Sequence, residues 1–254
     1  MLSFIGLGLY GYDMSIEALK EAKKCDKLYA EFYTSNIGTE IEEIEKLIGK
    51  KIIILDRKQI EDRKELLKEA KVKRIGLLVG GDPMTATTHV GLRLQAMEMG
   101  IKTKILYGIS IVTASASFLG LQIYKFGKVA SIARPYEDYF PLSPYDIIKD
   151  NLSMGMHTLV LLDLYKEPMN ANEAMEILIE MEKRRKEGII KDNLLIAVVR
   201  MSFKKEMAKA GYIKDMINED FGPPLHSLVI PGKLHFMEAK ALIKIANAPK
   251  EILK

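Results

Sequence analysis

The chain contains one cysteine, Cys25, and no tryptophan. A single thiol cannot build a disulfide framework, which points to a reducing compartment, the cytoplasm. Cys25 sits in the helical pattern Glu21-Ala22-Lys23-Lys24-Cys25 and reads as a small buried hydrophobe. No apolar run approaches the roughly 20 residues that a membrane span needs. No basic segment followed by an apolar stretch and a cleavage site opens the chain, so no signal peptide and no membrane association are expected. The four histidines are His89, His157, His226 and His235. None pairs with Cys, Asp or Glu at a zinc-site spacing, so no metal is expected. GxSxG elbow, Walker lysine and catalytic-cysteine context are all missing, which leaves nucleophilic hydrolysis without machinery. Charge of one sign is not concentrated anywhere. Lys and Arg number 38 against 34 Asp and Glu, interspersed, so the footprint of a dedicated nucleic-acid binder is absent.

What is present is alternation. Among 254 residues, 48% of them hydrophobic, short apolar runs read as strands at Leu2–Leu7, Lys27–Tyr33, Ile52–Leu55, Arg74–Val79, Lys102–Tyr107, Val129–Ala133, His157–Leu164, Leu194–Arg200 and Ser227–Ile230. Helical patterns fall between them: after Asp13 or Ser15 as cap, over Ile41–Ile48, Gln59–Ala70, and after the turn at residue 82. They continue from a Ser143 cap to Met154, from the Asn170/Glu173 near-capping box to about Lys186, and over His235–Ala246. Lys209–Ile217 gives no clear pattern, and Thr34-Ser35-Asn36 reads as a loop. Such alternation predicts an α/β fold of mostly parallel or mixed sheets. The elements fall into two batches, residues 1–108 and 109–254.

The stretch Gly80-Gly81-Asp82-Pro83-Met84-Thr85-Ala86-Thr87-Thr88-His89 stands out. A buried strand leads into it, and Val90, Leu94, Met97 and Ile101 follow at near-helical spacing. Two glycines permit a sharp turn and close backbone approach, Pro83 suits a first helical turn, and Asp82 falls at the carboxyl end of the strand. In open α/β sheets ligands bind in the crevice outside those ends. Gly6-Leu7-Gly8-Leu9-Tyr10-Gly11 forms a second glycine turn, but its third glycine falls one position early for a dinucleotide fingerprint. Gly108 to Ser117 is a segment of small residues, open to a ligand or a packed helix. The loop Arg134–Pro141, with Lys125 and Lys128 nearby, reads as a basic, aromatic lip for a large partner, or as a connector packed by its own aromatics. This set of turns with one well-placed carboxylate suits a nucleoside-like ligand held through backbone groups.

These residues also carry a resemblance. Gly6-Leu7-Gly8-Leu9, Gly81-Asp82-Pro83 with Ala86-Thr87-Thr88-His89, Tyr124-Lys125-Phe126-Gly127, Gly155-Met156-His157-Thr158-Leu159 and Pro231-Gly232-Lys233-Leu234-His235 resemble, in order and spacing, the tetrapyrrole methylase family. The match is to the branch that works in diphthamide synthesis. It implies two α/β domains, S-adenosyl-L-methionine (SAM) bound in the interdomain cleft with S-adenosyl-L-homocysteine as product, and a homodimer. It further implies methylation, up to trimethylation, of the amino nitrogen of a 3-amino-3-carboxypropyl histidine on translation elongation factor 2. Carried over motif by motif, the cofactor contacts are Leu9, Asp82, Thr85, Ser110, Ile111, Leu162, Ala197 and His226. Position 85 varies among relatives, so Thr85 is expected to offer backbone. Gly11–Ser15 departs from the family's usual acidic turn, and Gly80 stands where relatives often have Pro.

In-line transfer to a neutral amine needs positioning more than acid–base power. A model α-amino group has a pKa of about 8, so a neutral fraction exists near neutral pH, and no general base is nominated. Two alternatives remain. One is a methylase of a tetrapyrrole or corrinoid; the other is a non-catalytic binding protein that keeps the fold.

Overall fold

The computed structural model describes residues 1–33, 35, 37–62, 64–137, 139–201 and 206–253. Thr34 and Asn36 of the expected loop, Arg63 of an expected helix and Asp138 of the proline–aromatic loop lie outside the described residues. The chain divides into two compact units. Described residues 1–111 form the first, and 112–201 with 206–253 the second.

In the first unit the elements run β1 (Leu2–Gly6), α1 (Ile16–Lys24), β2 (Lys27–Glu31), α2 (Ile41–Ile48), β3 (Ile52–Ile54), α3 (Arg57–Asp62), α4 (Lys64–Ala70), β4 (Ile75–Val79), α5 (His89–Glu98) and β5 (Thr103–Leu106). The five strands are all parallel, in the order β3-β2-β4-β1-β5. Alternate residues feed opposite faces, as strand geometry requires. Leu2, Phe4, Tyr29, Ile75, Leu77 and Val79 pack with Leu67 of α4 and Leu92 of α5. Ile5, Leu28, Ala30 and Leu78 pack with Ala18 of α1, Ile44 of α2 and Cys25. Cys25 is buried as expected.

Several local expectations are corrected. β3 is an edge strand and not a buried one: Ile53 and Ile54 are 42% and 54% exposed. Ser15 alone caps α1, accepting from the Ala18 N–H at 3.0 Å. Pro83 does not start a helix, because α5 begins only at His89. The stripe Val90, Leu94 and Met97 faces solvent, while His89, Leu92 and Ala96 face the sheet. The helical phase was set by Leu92 and Ala96, whose turn packs on the sheet, and the outer stripe matched the period equally well.

The second unit holds α6 (Ile111–Leu119, its first residue at the unit boundary), β6 (Ala130–Ile132), α7 (Ser143–Ser153), β7 (Thr158–Leu162), α8 (Ala171–Arg185), β8 (Leu195–Arg200), β9 (Met207–Tyr212), α9 (Ile213–Met216), β10 (Ser227–Ile230) and α10 (Phe236–Ile245). Its sheet order is β6-β7-β10-β8-β9. Only β6 and β7 are parallel; β10 runs antiparallel to both β7 and β8, and β8 to β9. This sheet is therefore mixed. The unclear stretch Lys209–Ile217 resolves into the end of an antiparallel edge strand and one helical turn. Ser143 is the first residue of α7 and makes no cap; Leu142 holds that position without a side-chain bond. Lys186, in the left-handed region at φ 57°, ends α8 before Gly188 is reached.

Candidate functional site at the switch point of the parallel sheet

The strand order places the site. From β1 the chain crosses β4 to reach β2, whereas from β4 it crosses β1 to reach β5. Connections therefore leave the adjacent strands β1 and β4 in opposite directions, which opens a crevice at their carboxyl ends. The glycine loop after β1 and the Gly80–Thr88 loop after β4 border that crevice. A short antiparallel bridge ties them: the Gly8 N–H donates to the Gly81 carbonyl at 3.2 Å, and the Gly81 N–H to the Gly8 carbonyl at 2.7 Å.

The end of β5 closes in as well. A Cβ on Gly108 would lie 2.1 Å from the Gly81 carbonyl oxygen, and one on Gly6 would lie 2.6 Å from the Gly108 nitrogen. Three backbones thus meet where side chains cannot fit. Asp82, 8% exposed, locks the arrangement. Its Oδ1 accepts from the Met84 N–H at 2.9 Å and the Thr85 hydroxyl at 3.0 Å. Its Oδ2 accepts from the Gly108 N–H at 3.2 Å. These bonds draw the chain after Asp82 into turns, and Ala86 takes the left-handed region at φ 56°, which costs a non-glycine residue of order 1 kcal/mol. That is the physical reason no helix starts at Pro83.

The carboxylate of Asp82 is spent on protein. It positions the loop, and the Thr85 hydroxyl donates its hydrogen to it. Asp13 plays the matching part in the glycine loop. Its oxygens accept from the Leu9 and Tyr10 N–H groups, both at 2.9 Å. Those amides are therefore satisfied internally and do not form a phosphate cradle. Of the two cap residues expected, Asp13 or Ser15, Asp13 instead braces the glycine turn, and a carboxylate two residues after the last glycine of the turn was the available signal.

Under the second loop lies a feature the sequence did not reveal. His89 and Glu31 are both fully buried. The His89 Nδ1 stands 3.0 Å from the Pro83 carbonyl, which also accepts from the Thr87 hydroxyl at 3.0 Å. The His89 Nε2 lies 3.4 Å from Glu31 Oε1, a close approach without hydrogen-bond geometry. This buried pair supports the loop from the sheet side.

Of the eight expected cofactor residues, five gather here. Leu9, Asp82 and Thr85 lie on the joined loops, and Ser110 and Ile111 follow Gly108 directly. The other three belong to the second unit. Leu162 ends β7, and continuing the register of Leu228 with Val160 sets His226 beside it. Ala197 is fully buried in β8, opposite Val229, about three residues or ~10 Å along the strand from His226's level. Both His226 nitrogens are occupied: Nδ1 accepts from the Ala171 N–H at 3.1 Å and Nε2 contacts the Phe221 carbonyl at 3.3 Å. Burial lowers its pKa, against the opposing effect of the Phe221 carbonyl.

The motifs around Lys125, His157 and His235 converge on Glu238. Its carboxylate accepts from the Gln122 N–H at 3.0 Å, the His235 N–H at 2.8 Å, the His157 Nε2–H at 3.1 Å and the Lys125 ammonium. Burial alone would raise the Glu238 pKa, but Lys125 and these donors outweigh it and hold it at about 2. Arg134 forks onto Glu173 at 2.6 and 2.8 Å and donates to the Glu167 carbonyl at 2.8 Å. Lys125 and Arg134 are thus internal braces, which removes two of the three cations from the expected docking lip. No group of three potential metal ligands exists among the described residues. No described helix is long and apolar enough to cross a membrane.

A parallel sheet with glycine loops at its switch point, followed by a mixed sheet, defines a class before any name. Residues 1–202 match the model of the Tetrapyrrole (Corrin/Porphyrin) Methylases. Diphthine synthase of Methanosarcina mazei is 47% identical, covering 100% of this chain and 99% of that protein. Diphthine synthase of Methanocaldococcus jannaschii is 51% identical, covering 95% and 97%. A crystal structure of diphthine synthase superimposes with a TM-score of 0.91 at 38% identity, covering 99% of this chain and 98% of that one. The chain belongs to the tetrapyrrole methylases, methyltransferases, in their diphthine synthase branch.

Proposed function

We propose that this chain transfers methyl groups from SAM to the amino nitrogen of the 3-amino-3-carboxypropyl histidine of translation elongation factor 2, the diphthine-forming step of diphthamide synthesis. The observation that carries the reading is the joined pair of loops at the switch point, clamped by Asp82, in a chain matching diphthine synthases over its whole length. The convergence of Gly6, Gly81 and Gly108 fits a nucleoside-like cofactor recognised through main-chain groups. Leu9, Asp82, Thr85, Ser110 and Ile111 are assigned to hold it, with Asp82 acting by fixing the loop. Leu162, Ala197 and His226 are assigned to it by family resemblance. Once bound, the cofactor supplies an electrophilic methyl group on a sulfonium.

The protein's own share is positioning. The amine attacks as the free base, a form of which an appreciable fraction exists near neutral pH for a pKa of about 8. Asp82 and Asp13 both accept hydrogen bonds from their own loops, so neither is assigned as a general base, and the released proton passes to solvent. A second copy of the chain as partner and a cytoplasmic setting belong to the same proposal; sedimentation at micromolar concentration tests the dimer.

The test is the mass of elongation factor 2 carrying the aminocarboxypropyl histidine, after incubation with the protein and SAM. Gain of whole methyl units on that residue supports the reading, and the number of units counts the rounds. SAM bound with no gain would instead favour the tetrapyrrole or corrinoid substrate, and no SAM binding a non-catalytic role.

A further inference from the structure

A cleft of about 440 Å³ opens on the first unit, lined by Tyr10, Tyr12, Asp13 and Thr39. Its walls come from two loops at the carboxyl end of the parallel sheet, those after β1 and β2. Tyr10 directly follows Leu9, whose N–H is held by Asp13 and whose carbonyl accepts from the Gly38 N–H at 3.2 Å. The cleft is therefore continuous along the chain with the loop assigned to the cofactor. Tyr12 is fixed at its far end, its hydroxyl donating to Glu43 of α2 at 2.5 Å, which leaves the ring to face the cleft or solvent. Its lining is two tyrosine rings with their hydroxyls, one carboxylate and the Thr39 hydroxyl, with no Lys, Arg or His. Both Asp13 oxygens accept loop N–H groups, but among the described ion pairs none involves Asp13, so its negative charge is left to act on a cation in the cleft.

That combination suits one class of ligand. An alkylated ammonium is cationic but has few or no N–H groups, so hydrogen bonding cannot hold it. Aromatic faces and a nearby carboxylate can, the former by cation–π attraction. We propose that Tyr10, Tyr12 and Asp13 form the subsite for the amino group of the substrate in its methylated, cationic states. The proposal rests on the methyl-transfer reading above. In each round the nitrogen lone pair forms the new N–CH3 bond, the S–CH3 bond breaks with its electrons left on sulfur, and the resulting ammonium gives a proton to solvent before the next round. A subsite that favours methylated ammonium keeps partly methylated chains beside the cofactor loop, so successive rounds proceed on one substrate molecule. The cofactor's sulfonium shares the chemistry of an alkylated cation and is the competing source.

The experiment uses the full chain and elongation factor 2 bearing the aminocarboxypropyl histidine. Intact mass gives the distribution of methyl states, and calorimetry gives affinities for SAM and for S-adenosylhomocysteine, which lacks the sulfonium charge. Tyr12→Ala is expected to raise KM about tenfold for elongation factor 2 already carrying the monomethylated amine, as loss of one such contact implies, with a smaller change for the unmethylated substrate. Partly methylated species should accumulate, with both cofactor affinities unchanged. Tyr12→Phe, which keeps the ring, should recover most of the loss. Tetramethylammonium should inhibit the unaltered protein competitively with the protein substrate, and inhibit Tyr12→Ala far less. Unchanged KM and methyl distribution in Tyr12→Ala, or no competition by tetramethylammonium, overturns the proposal. Loss of SAM affinity with retained S-adenosylhomocysteine affinity also overturns it, assigning the cleft to the sulfonium. Failure of the unaltered protein to bind either cofactor form strikes the methyltransferase reading itself, a result distinct from all of these.

Discussion

Each unit buries a histidine against a glutamate, and the two pairs differ by where their protons must lie. In the first unit, His89 faces the Pro83 carbonyl with Nδ1. A carbonyl only accepts, so Nδ1 carries the hydrogen, and Nε2 stands 3.4 Å from the Glu31 oxygen without a hydrogen bond. In the second unit, His157 Nδ1 accepts from the Gly232 N–H at 2.9 Å, and Nε2 donates to Glu238. One proton suffices there. Burial pushes the His157 pKa down, against the pull of Glu238, so the ring is neutral and Lys125 supplies the balancing charge. The same two residue types thus make a loop support with no hydrogen bond between them in one place and a hydrogen-bonded crosslink in a scaffold in the other. Which of the two results is decided by the main-chain group at the histidine's other nitrogen.

The largest expected effect comes from the scaffold pair. Glu238→Ala strands the Lys125 ammonium and two backbone N–H groups, and should cost about 3–5 kcal/mol, the usual loss on breaking a buried pair. Urea denaturation measures it; a loss under about 1 kcal/mol would place Glu238 among ordinary surface ions. Glu31→Gln should cost less, about 1–3 kcal/mol, because it weakens the carboxylate contacts to His89 and to the Tyr33 N–H without removing them. Its mark should be weaker SAM binding, since the Pro83–Thr87 loop loses its support. Equal stability losses in both variants, with SAM affinity intact in each, would erase the distinction drawn between the pairs.

Acid should act first on the neutral histidines. His157 and His226 both have pKa values lowered from 6.5, chiefly by desolvation. The unfolded chain then binds more protons than the folded one, so stability rises with pH in that range. Thermal midpoints are expected to be flat above pH 7 and to fall as pH drops below 6.5. A further fall should follow below 4.5, as the protonation of Glu238, held at about 2 in the fold, begins to favour the unfolded chain. A midpoint constant from pH 7 to pH 5 would mean that both rings titrate normally. The smallest effect is expected from His235→Ala. This removes an N-cap acceptor 3.3 Å from the Met237 N–H and should cost about 0.5 kcal/mol, visible as a small shift in urea midpoint.

Elements with strong local patterns were legible in the sequence. β1 and β4 read as buried strands because parallel strands are covered on both faces, and α2 carried a clean amphipathic stripe. What failed depended on partners far along the chain. Three consecutive isoleucines look alike in a central and an edge strand, so β3 gave no warning that Ile53 and Ile54 face outward. The outer stripe of α5 matched the helical period as well as the inner one does. Asp82 was picked out by position, but its bonds to the Met84 and Gly108 amides follow from how β4 and β5 flank β1, an order no window of sequence contains. The support of His89 by Glu31 was invisible for the same reason: it joins the first turn of α5 to the end of β2.

The exposed edge at β3 has a consequence for handling the protein. Ile52-Ile53-Ile54 turns one side of its backbone away from the sheet beside exposed apolar side chains, and the Glu45 carboxylate covers the Ile52 N–H on that side at 2.8 Å; an edge left open is where strands of other molecules add and chains aggregate. Lys50 and Lys51 stand immediately before it and Asp56, Arg57 and Lys58 just after it. Together with a length of only three residues, these flanking charges act as gatekeepers against edge-to-edge growth. Neutralising these lysines is expected to weaken that protection and to favour association at this edge.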